Sequence, residues 1–333
     1  MKRRVVWGVL GLVVVLLVLP RFTLPAGEGQ VARVVWTENT SIPQLLVERG
    51  KDGDAPVLML LHGGPGISMA AANGVYAPLE DDLLVVLWDQ PGSVTACSSD
   101  PPTLAGVVAD GIAVAEALRV RHNVDRVGLM GSSWGSVVGV RMVQERPDLF
   151  WGYMAEGQVV STRAAEAEAM SELQMVLTDP ADRATLDALA ASGPPFENPQ
   201  DVGRMRALLW RHDRVVRRLG PYLGVFARWA VGPEHTVVEK ARTLPCVARA
   251  AAALGPDIRR WNLLGDDGRI EVPAVILQGR FDYLTGPRTV GAWAEQVGVD
   301  VVWFDGSGHV PSLEEPAAFF AAVRAFSQEF GGG

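Results

Sequence analysis

Arg126-Val127-Gly128-Leu129-Met130-Gly131-Ser132-Ser133-Trp134-Gly135-Ser136-Val137 is the stretch on which the fold turns. Arg126–Met130 is a short, mostly apolar run ending at a glycine, the pattern of a strand covered on both faces. Val137–Gln144 reads as a helix. Between them, Gly131-Ser132-Ser133-Trp134-Gly135 fits G-x-S-x-G, in which a serine occupies a strained strand-to-helix turn and side chains at the flanking glycines would clash. The bare pattern is weak, arising by chance in roughly one such glycine-rich chain in six. A strand directly before it and a helix directly after it supply the specificity. Ser133 is therefore the candidate nucleophile, and the N–H of Trp134 a candidate oxyanion donor.

Working outward, Val57–Leu61 and Leu83–Leu87 are further apolar runs, closed by His62-Gly63-Gly64-Pro65-Gly66 and Asp89-Gln90-Pro91-Gly92. Leu104–Val120 has apolar residues at helical spacing and reads as a crossover helix. Val31–Trp36 and Ile42–Val47 read as two antiparallel strands near the sheet edge. Strand character returns at Val272–Leu277 and Val301–Phe304, and Glu315–Phe330 closes the chain as an amphipathic helix. Strand, helix and strand in repetition define a doubly wound α/β fold, with a mostly parallel central sheet flanked by helices. Residues 160–260 differ: rich in Ala, Arg, Leu and Glu, they read as a helical cap inserted into a core made of residues 30–159 and 261–330.

A serine hydroxyl needs a base to take its proton. Of five histidines, His62 belongs to the glycine loop, where it suits hydrogen bonding within the loop. His122 precedes a strand, and His212 and His235 fall in the charged insertion. His309, in Gly306-Ser307-Gly308-His309-Val310, follows the last expected strand and would face the same sheet edge as Ser133. The acid that orients it should end another strand between serine and histidine in chain order. Asp282, in Gly279-Arg280-Phe281-Asp282, meets that requirement, whereas Asp305 ends the same strand as His309 and lies only four residues away. The His62–Gly66 loop is far more specific than the serine pattern, and its glycines let main chain approach a developing oxyanion, with Gly64 as the second donor. Glu156 and Gln158, where sheet meets insertion, are candidate substrate-binding residues. Backbone dipoles supply the electrophilic help a metal would, so no metal or organic cofactor is called for.

Composition bounds the partners. The 333 residues are 48% hydrophobic and 20% charged, which suits one large domain with a sizeable core. A net charge of −8, without a Lys/Arg tract beyond the first residues, argues against nucleic acid. Residues 1–26 stand apart: Lys2, Arg3 and Arg4 precede an uncharged apolar run from Val5 to Leu19, then Pro20 and Arg21. This is a signal anchor or signal peptide, with an uncleaved hydrophobic helix favoured because no good small-x-small cleavage site follows. Fifteen helical residues span about 23 Å, short of a roughly 30 Å hydrocarbon layer, and Arg21 would snorkel to lengthen the span. The expectation is a membrane-anchored protein whose catalytic part lies outside the cytoplasm, or a secreted one if the segment is cleaved. The two cysteines, Cys97 and Cys246, fit no metal spacing. Either a bridge in an oxidising compartment or two buried thiols would suit them.

Taken together, the motifs resemble the proline iminopeptidase-like serine peptidases of the α/β-hydrolase superfamily. His62-Gly63-Gly64-Pro65-Gly66 is similar to their oxyanion loop, Asp89-Gln90-Pro91-Gly92-Ser93 to their Asp-Gln-Arg-Gly-Ser turn, and Ser133-Trp134-Gly135-Ser136 to their nucleophile segment. Gly279-Arg280-Phe281-Asp282 resembles the acid segment, and Gly308-His309 with Leu313-Glu314-Glu315-Pro316 the base and its trailing helix start. The likeness runs from about Gln30 to Phe330, excepting the insertion. It implies an acyl-transfer hydrolase that releases N-terminal residues, often proline, from short peptides. An esterase, lactonase or amidase on a small apolar substrate is the alternative, since one fold hosts many substrates. Two departures stand out. Pro91 replaces the usual arginine, and the Trp-x-x-Trp-Glu pattern near the family's amine-binding carboxylates is missing, with Arg228-Trp229-Ala230 and later Glu234 and Glu239 instead.

Overall fold

The computed structural model describes residues 26–332 apart from 52, 54, 266 and 267. The expected N-terminal helix lies outside the described residues. Among these, no helix is long and apolar enough to cross a membrane.

Eight strands form one sheet: β1 (Gln30–Trp36), β2 (Leu45–Lys51), β3 (Val57–Leu61), β4 (Leu84–Trp88), β5 (Val127–Ser132), β6 (Phe150–Glu156), β7 (Ala274–Gly279) and β8 (Asp300–Phe304). Their order is β1-β2-β4-β3-β5-β6-β7-β8. The first two pairings, β1 with β2 and β2 with β4, are antiparallel, and all others are parallel. Successive strand residues enter opposite apolar layers: Met59 and Leu61 pack on one face, Leu58 and Leu60 on the other. Helices α1 (Leu104–His122) and α2 (Trp134–Glu145) cover the first face with Trp261 and Trp293. The C-terminal helix covers the second through Phe319, Phe320 and Val323.

Two departures from the sequence reading have physical causes. Ile42–Gln44 is not strand. Pro43 has no N–H to donate, and Thr37 Oγ1 accepts from the Gln44 N–H at 2.9 Å, which closes a turn. The strand instead runs on through Glu48 and Arg49, both buried. Glu48 is held by Arg33, Arg121 and His122, and although burial pushes its carboxyl up, those hydrogen bonds bring it down to about 2. β6 is absent from the sequence reading, because Gly152 and Glu156 interrupt the apolar pattern of Phe-Trp-Gly-Tyr-Met-Ala-Glu. Every residue of β6 is buried, and a Cβ at Gly152 would sit 2.7 Å from the Phe326 ring.

Among the described residues between β6 and β7 run five helices: α3 (Thr162–Val176), α4 (Pro180–Ala190), α5 (Pro199–Arg211), α6 (Leu219–Val231) and α7 (Val237–Arg260). Helices α3 to α5 share a small core around Leu173, Leu186, Phe196 and Leu208. α6 buries none of its residues. After β7 come α8 (Pro287–Val297), then α9 (Pro311–Glu314) and α10 (Pro316–Phe330) beyond β8. Cys97 and Cys246 form a disulfide that ties the loop after β4 to α7.

Candidate active site

The order of strands reverses around β3, which has β4 on one side and β5 on the other. In open α/β sheets such a switch point, at the carboxyl ends of the strands, is where ligands bind. The expected site residues all come from those ends. Gly64 follows β3, Ser133 follows β5, Asp282 follows β7, and His309 follows β8.

Ser133 sits at φ 52° and ψ −116°, a left-handed conformation that costs about 1–3 kcal/mol in a residue with a Cβ. Packing leaves it no alternative. A Cβ on Gly131 would fall 2.5 Å from the Gly135 carbonyl oxygen, and one on Gly135 2.2 Å from that of Leu61. The glycines of the G-x-S-x-G pattern are therefore required by main-chain contact. The Ser133 N–H donates to the Glu156 carbonyl at 2.9 Å, which fixes the turn to the end of β6.

His309 Nδ1 lies 2.9 Å from Asp282 Oδ1. The carboxylate only accepts, so Nδ1 carries the proton and Nε2 is left with its lone pair. Asp282 is fully buried and accepts from Thr285 Oγ1 at 2.6 Å, Gln278 Nε2 at 3.0 Å and the Leu284 N–H at 3.2 Å. Burial alone would raise its pKa, but His309 and these donors outweigh that and hold it below the usual carboxylate range. For His309 burial acts downward, while the charge and hydrogen bond of Asp282 prevail and raise its pKa. Asp305, the rival acid, is 86% exposed and paired with Arg280.

Gly157 brings the two halves together. A Cβ there would stand 3.1 Å from Asp282 Oδ2 and from His309 Nδ1, so only glycine lets the end of β6 lie against the pair. The adjacent Glu156 carbonyl holds the Ser133 turn, so Ser133 and the His309 imidazole flank the same strand end. Among the described residues the Ser133 hydroxyl itself makes no hydrogen bond, His309 included. Serine–histidine bonds are often long or misaligned until substrate is bound.

The histidine loop is clamped by residues the sequence reading treated only as the start of a helix. Glu315 Oε2 accepts from the Gly306 N–H at 2.9 Å and from Ser307 Oγ at 2.7 Å. Glu314 accepts from the Gly308 N–H and, through Oε1, from the Arg218 N–H at 2.9 Å, which joins the loop to the helical insertion. The His309 N–H donates to the Val215 carbonyl at 2.7 Å. A Cβ on Gly308 would come 2.0 Å from that oxygen.

The glycine loop lies against Ser133, with a Cβ on Gly63 only 3.3 Å from that of Ser133. Gly64 has φ +123° and, with Trp134, lines the cleft above Ser133. Among the described residues neither the Gly64 nor the Trp134 N–H donates within the fold. A buried relay aligns them. Trp134 Nε1 donates to Gln90 Oε1 at 3.0 Å, and Gln90 Nε2 donates to the His62 carbonyl at 3.0 Å. The Gln90 N–H donates to His62 Nε2 at 3.1 Å, so the ring proton sits on Nδ1 and points to the Gly63 carbonyl at 2.8 Å. Burial lowers the His62 pKa, which keeps the ring neutral for this role.

Glu156 and Gln158 do not reach the cleft. Glu156 is 1% exposed and accepts from the Ser312 N–H at 2.8 Å, while Gln158 is fully buried and accepts from the Tyr153 hydroxyl at 2.8 Å. Both are spent on holding the end of β6. The cleft is lined by Val137 and Val159 from the core side and by Val202, Met205, Leu209 and Ile258 from the insertion. Two charged side chains line it as well, Glu166 and Arg206. No spacing in the sequence distinguishes these two from their neighbours. Among the described residues no group of His, Cys, Asp and Glu could hold a metal ion.

With fold and site in place, comparison with known proteins is direct. Residues 56–316 match the family described as "alpha/beta hydrolase fold", and the chain belongs to that family. It is a hydrolase. Within the family it is similar to a probable aminopeptidase, YbaC, of Bacillus subtilis, 27% identical and aligned over 83% of this chain and 90% of that one. It is also similar to a probable proline iminopeptidase of Streptomyces coelicolor, 25% identical over 81% and 87%. The solved structure of a Mycobacterium smegmatis proline iminopeptidase shares the fold with a TM-score of 0.61 at 23% identity, covering 90% of this chain and 99% of that one.

Proposed function

We propose that this hydrolase is a serine aminopeptidase that removes the N-terminal residue of short peptides through an acyl-enzyme on Ser133. The observation that carries the reading is the 2.9 Å contact between Asp282 and His309 beside a serine on a strained turn. Ser133 Oγ attacks the scissile carbonyl as its proton passes to His309 Nε2, and Asp282 stabilises the imidazolium without taking the proton. The N–H groups of Gly64 and Trp134 hold the oxyanion. His309 returns the proton to the departing amine, then takes one from water, which opens the acyl-enzyme and restores the serine.

A free N-terminal ammonium needs an acceptor in the cleft, and Glu166 supplies a carboxylate there. It is partly buried, and desolvation raises its pKa despite Arg206 and Arg259 nearby, as expected of an anion short of counter-charge. The peptidase names of the B. subtilis and S. coelicolor relatives support the same reading. The largely apolar lining favours a second reading, an esterase, lactonase or amidase on a small apolar acyl group. Assay of the purified protein on prolyl-naphthylamide and on p-nitrophenyl acetate separates the two: turnover of the ester alone removes the peptidase reading. Labelling by a fluorophosphonate, lost in Ser133→Ala, tests the acyl-enzyme.

We also propose that the catalytic part works outside the cytoplasm, tethered by the apolar run near the N-terminus. The Cys97–Cys246 bridge supports this, because such bonds persist in oxidising compartments. Protease added to intact cells should digest the catalytic part; full protection until the cells are lysed would refute the placement.

A further inference from the structure

The charges of α5 are treated unequally by the fold. Arg204 pairs with Asp201 at 3.1 Å, and Arg211 pairs with Asp182. Arg206, between them, has no hydrogen bond or ion pair among the described residues, and it lines the cleft that holds Ser133. Part of the side chain reaches solvent at the cleft mouth. Packing around it lowers its pKa, against the pull of Glu166. Among protein side chains a guanidinium is the one best shaped for bidentate contact with a carboxylate.

Glu166 is the only acid lining the same cleft among the described residues, and it does not close onto Arg206. Its Oε2 accepts from the Phe196 N–H at 3.0 Å, which anchors it on α3. Two opposite charges, each fixed to a different helix and held apart, form the complement of a zwitterion. At about 3.3–3.6 Å per residue, the terminal charges of an extended dipeptide lie roughly 7 Å apart.

We infer that Arg206 is a receptor for a substrate carboxylate, so that the cleft selects very short peptides with a free C-terminus over longer or amidated ones. The inference rests on the aminopeptidase reading, with Glu166 taking the ammonium, and adds a second anchor on the leaving side. Release of the amine product breaks the Arg206 contact, since the carboxylate leaves with it, while the ammonium stays with the acyl-enzyme at Glu166.

The test compares kcat/KM for Pro-Gly and for Pro-Gly-amide in the full-length protein and in Arg206→Met and Arg206→Lys. The free acid should be preferred about tenfold or more, as expected for a charge-assisted contact. In Arg206→Met the ratio should fall toward one, chiefly through KM of the acid, and Arg206→Lys should restore part of it. A merely structural arginine would change both substrates together and leave the ratio intact, which overturns the inference. So does a wild-type ratio near one.

A second readout follows from charge: Arg206 pulls the His309 pKa down, so its removal should move the acid limb of kcat/KM on a neutral substrate to higher pH. If neither peptide is cleaved but p-nitrophenyl esters are, the aminopeptidase reading has failed and Arg206 is judged separately. The ratio of 4-carboxyphenyl butyrate to phenyl butyrate, whose carboxylate is on the leaving group, should then collapse in Arg206→Met; an unchanged ratio overturns the inference on its own.

Discussion

The strand ends and the helical insertion face each other across one cleft, yet they are built on different principles. On the strand side, backbone approaches backbone so closely that Gly131, Gly135 and Gly279 admit no side chain, and Asp282 is held by several hydrogen bonds. On the opposite side, apolar side chains and two separated charges line helices, one of whose neighbours, α6, buries nothing. On the proposed function, the chemistry sits on closely packed main chain, and substrate choice on side chains that can change without disturbing it.

If that division holds, the largest effect should come from the strand side. Ser133→Ala should lower kcat/KM by about 10⁴-fold or more while leaving the melting temperature unchanged or raised, because it removes the nucleophile but not the fold. Comparable activity in the variant would break the comparison outright. Asp282→Asn should cost on the order of 10²–10⁴-fold in kcat by removing the acceptor for the His309 Nδ1–H. Asp305→Asn, at an exposed position, should cost nothing measurable in the same assay.

On the helical side the effects should be smaller and substrate-dependent. Glu166→Gln should raise KM for aminoacyl amides about tenfold and leave p-nitrophenyl acetate nearly untouched, as expected when one charged contact is lost. An equal loss on both substrates would mean that the charge matters to the fold rather than to recognition. Proton linkage sharpens the contrast. His309 must be neutral to accept a proton and its pKa is raised, so the acid limb of kcat/KM should lie above the ordinary histidine value of about 6.5. The raised pKa also means that the Asp282–His309 contact contributes most to stability below the unfolded histidine pKa and fades as pH rises through the folded one. A small catalytic effect is expected from Cys246→Ser. It should lower stability by about 3 kcal/mol in denaturant titration, since the bridge closes a long loop, with little change in kcat.

The same division explains what could be read in the sequence. Backbone-to-backbone approach demands glycine, and glycine at fixed offsets from an apolar run is visible without a structure. That is how Ser133, His309, Asp282 and the Gly64 loop come to be named from pattern, and the structure sets them at one sheet edge with the Asp282–His309 contact formed. β6 escaped notice because Gly152 and Glu156, which read as breaks, are accommodated by the Phe326 ring and the Ser312 N–H. Glu156 and Gln158 stood out in the sequence as lying where sheet meets insertion, whereas the structure buries both and engages them with Ser312 and Tyr153. Glu166 and Arg206 carry no local signal, because a charge on an amphipathic helix looks the same whether it faces solvent or a substrate.

The account stands or falls on whether the hydroxyl of Ser133 and the free nitrogen of His309 act on one reacting atom. A crystal structure of the protein inactivated by a diphenyl prolyl-phosphonate tests this most directly. The account predicts phosphorus bonded to Ser133 Oγ, one phosphonyl oxygen within hydrogen-bond reach of the Gly64 and Trp134 N–H groups, and His309 Nε2 turned toward the adduct while Nδ1 keeps Asp282. Phosphorus on another residue, or an imidazole left out of reach of the adduct, would contradict it.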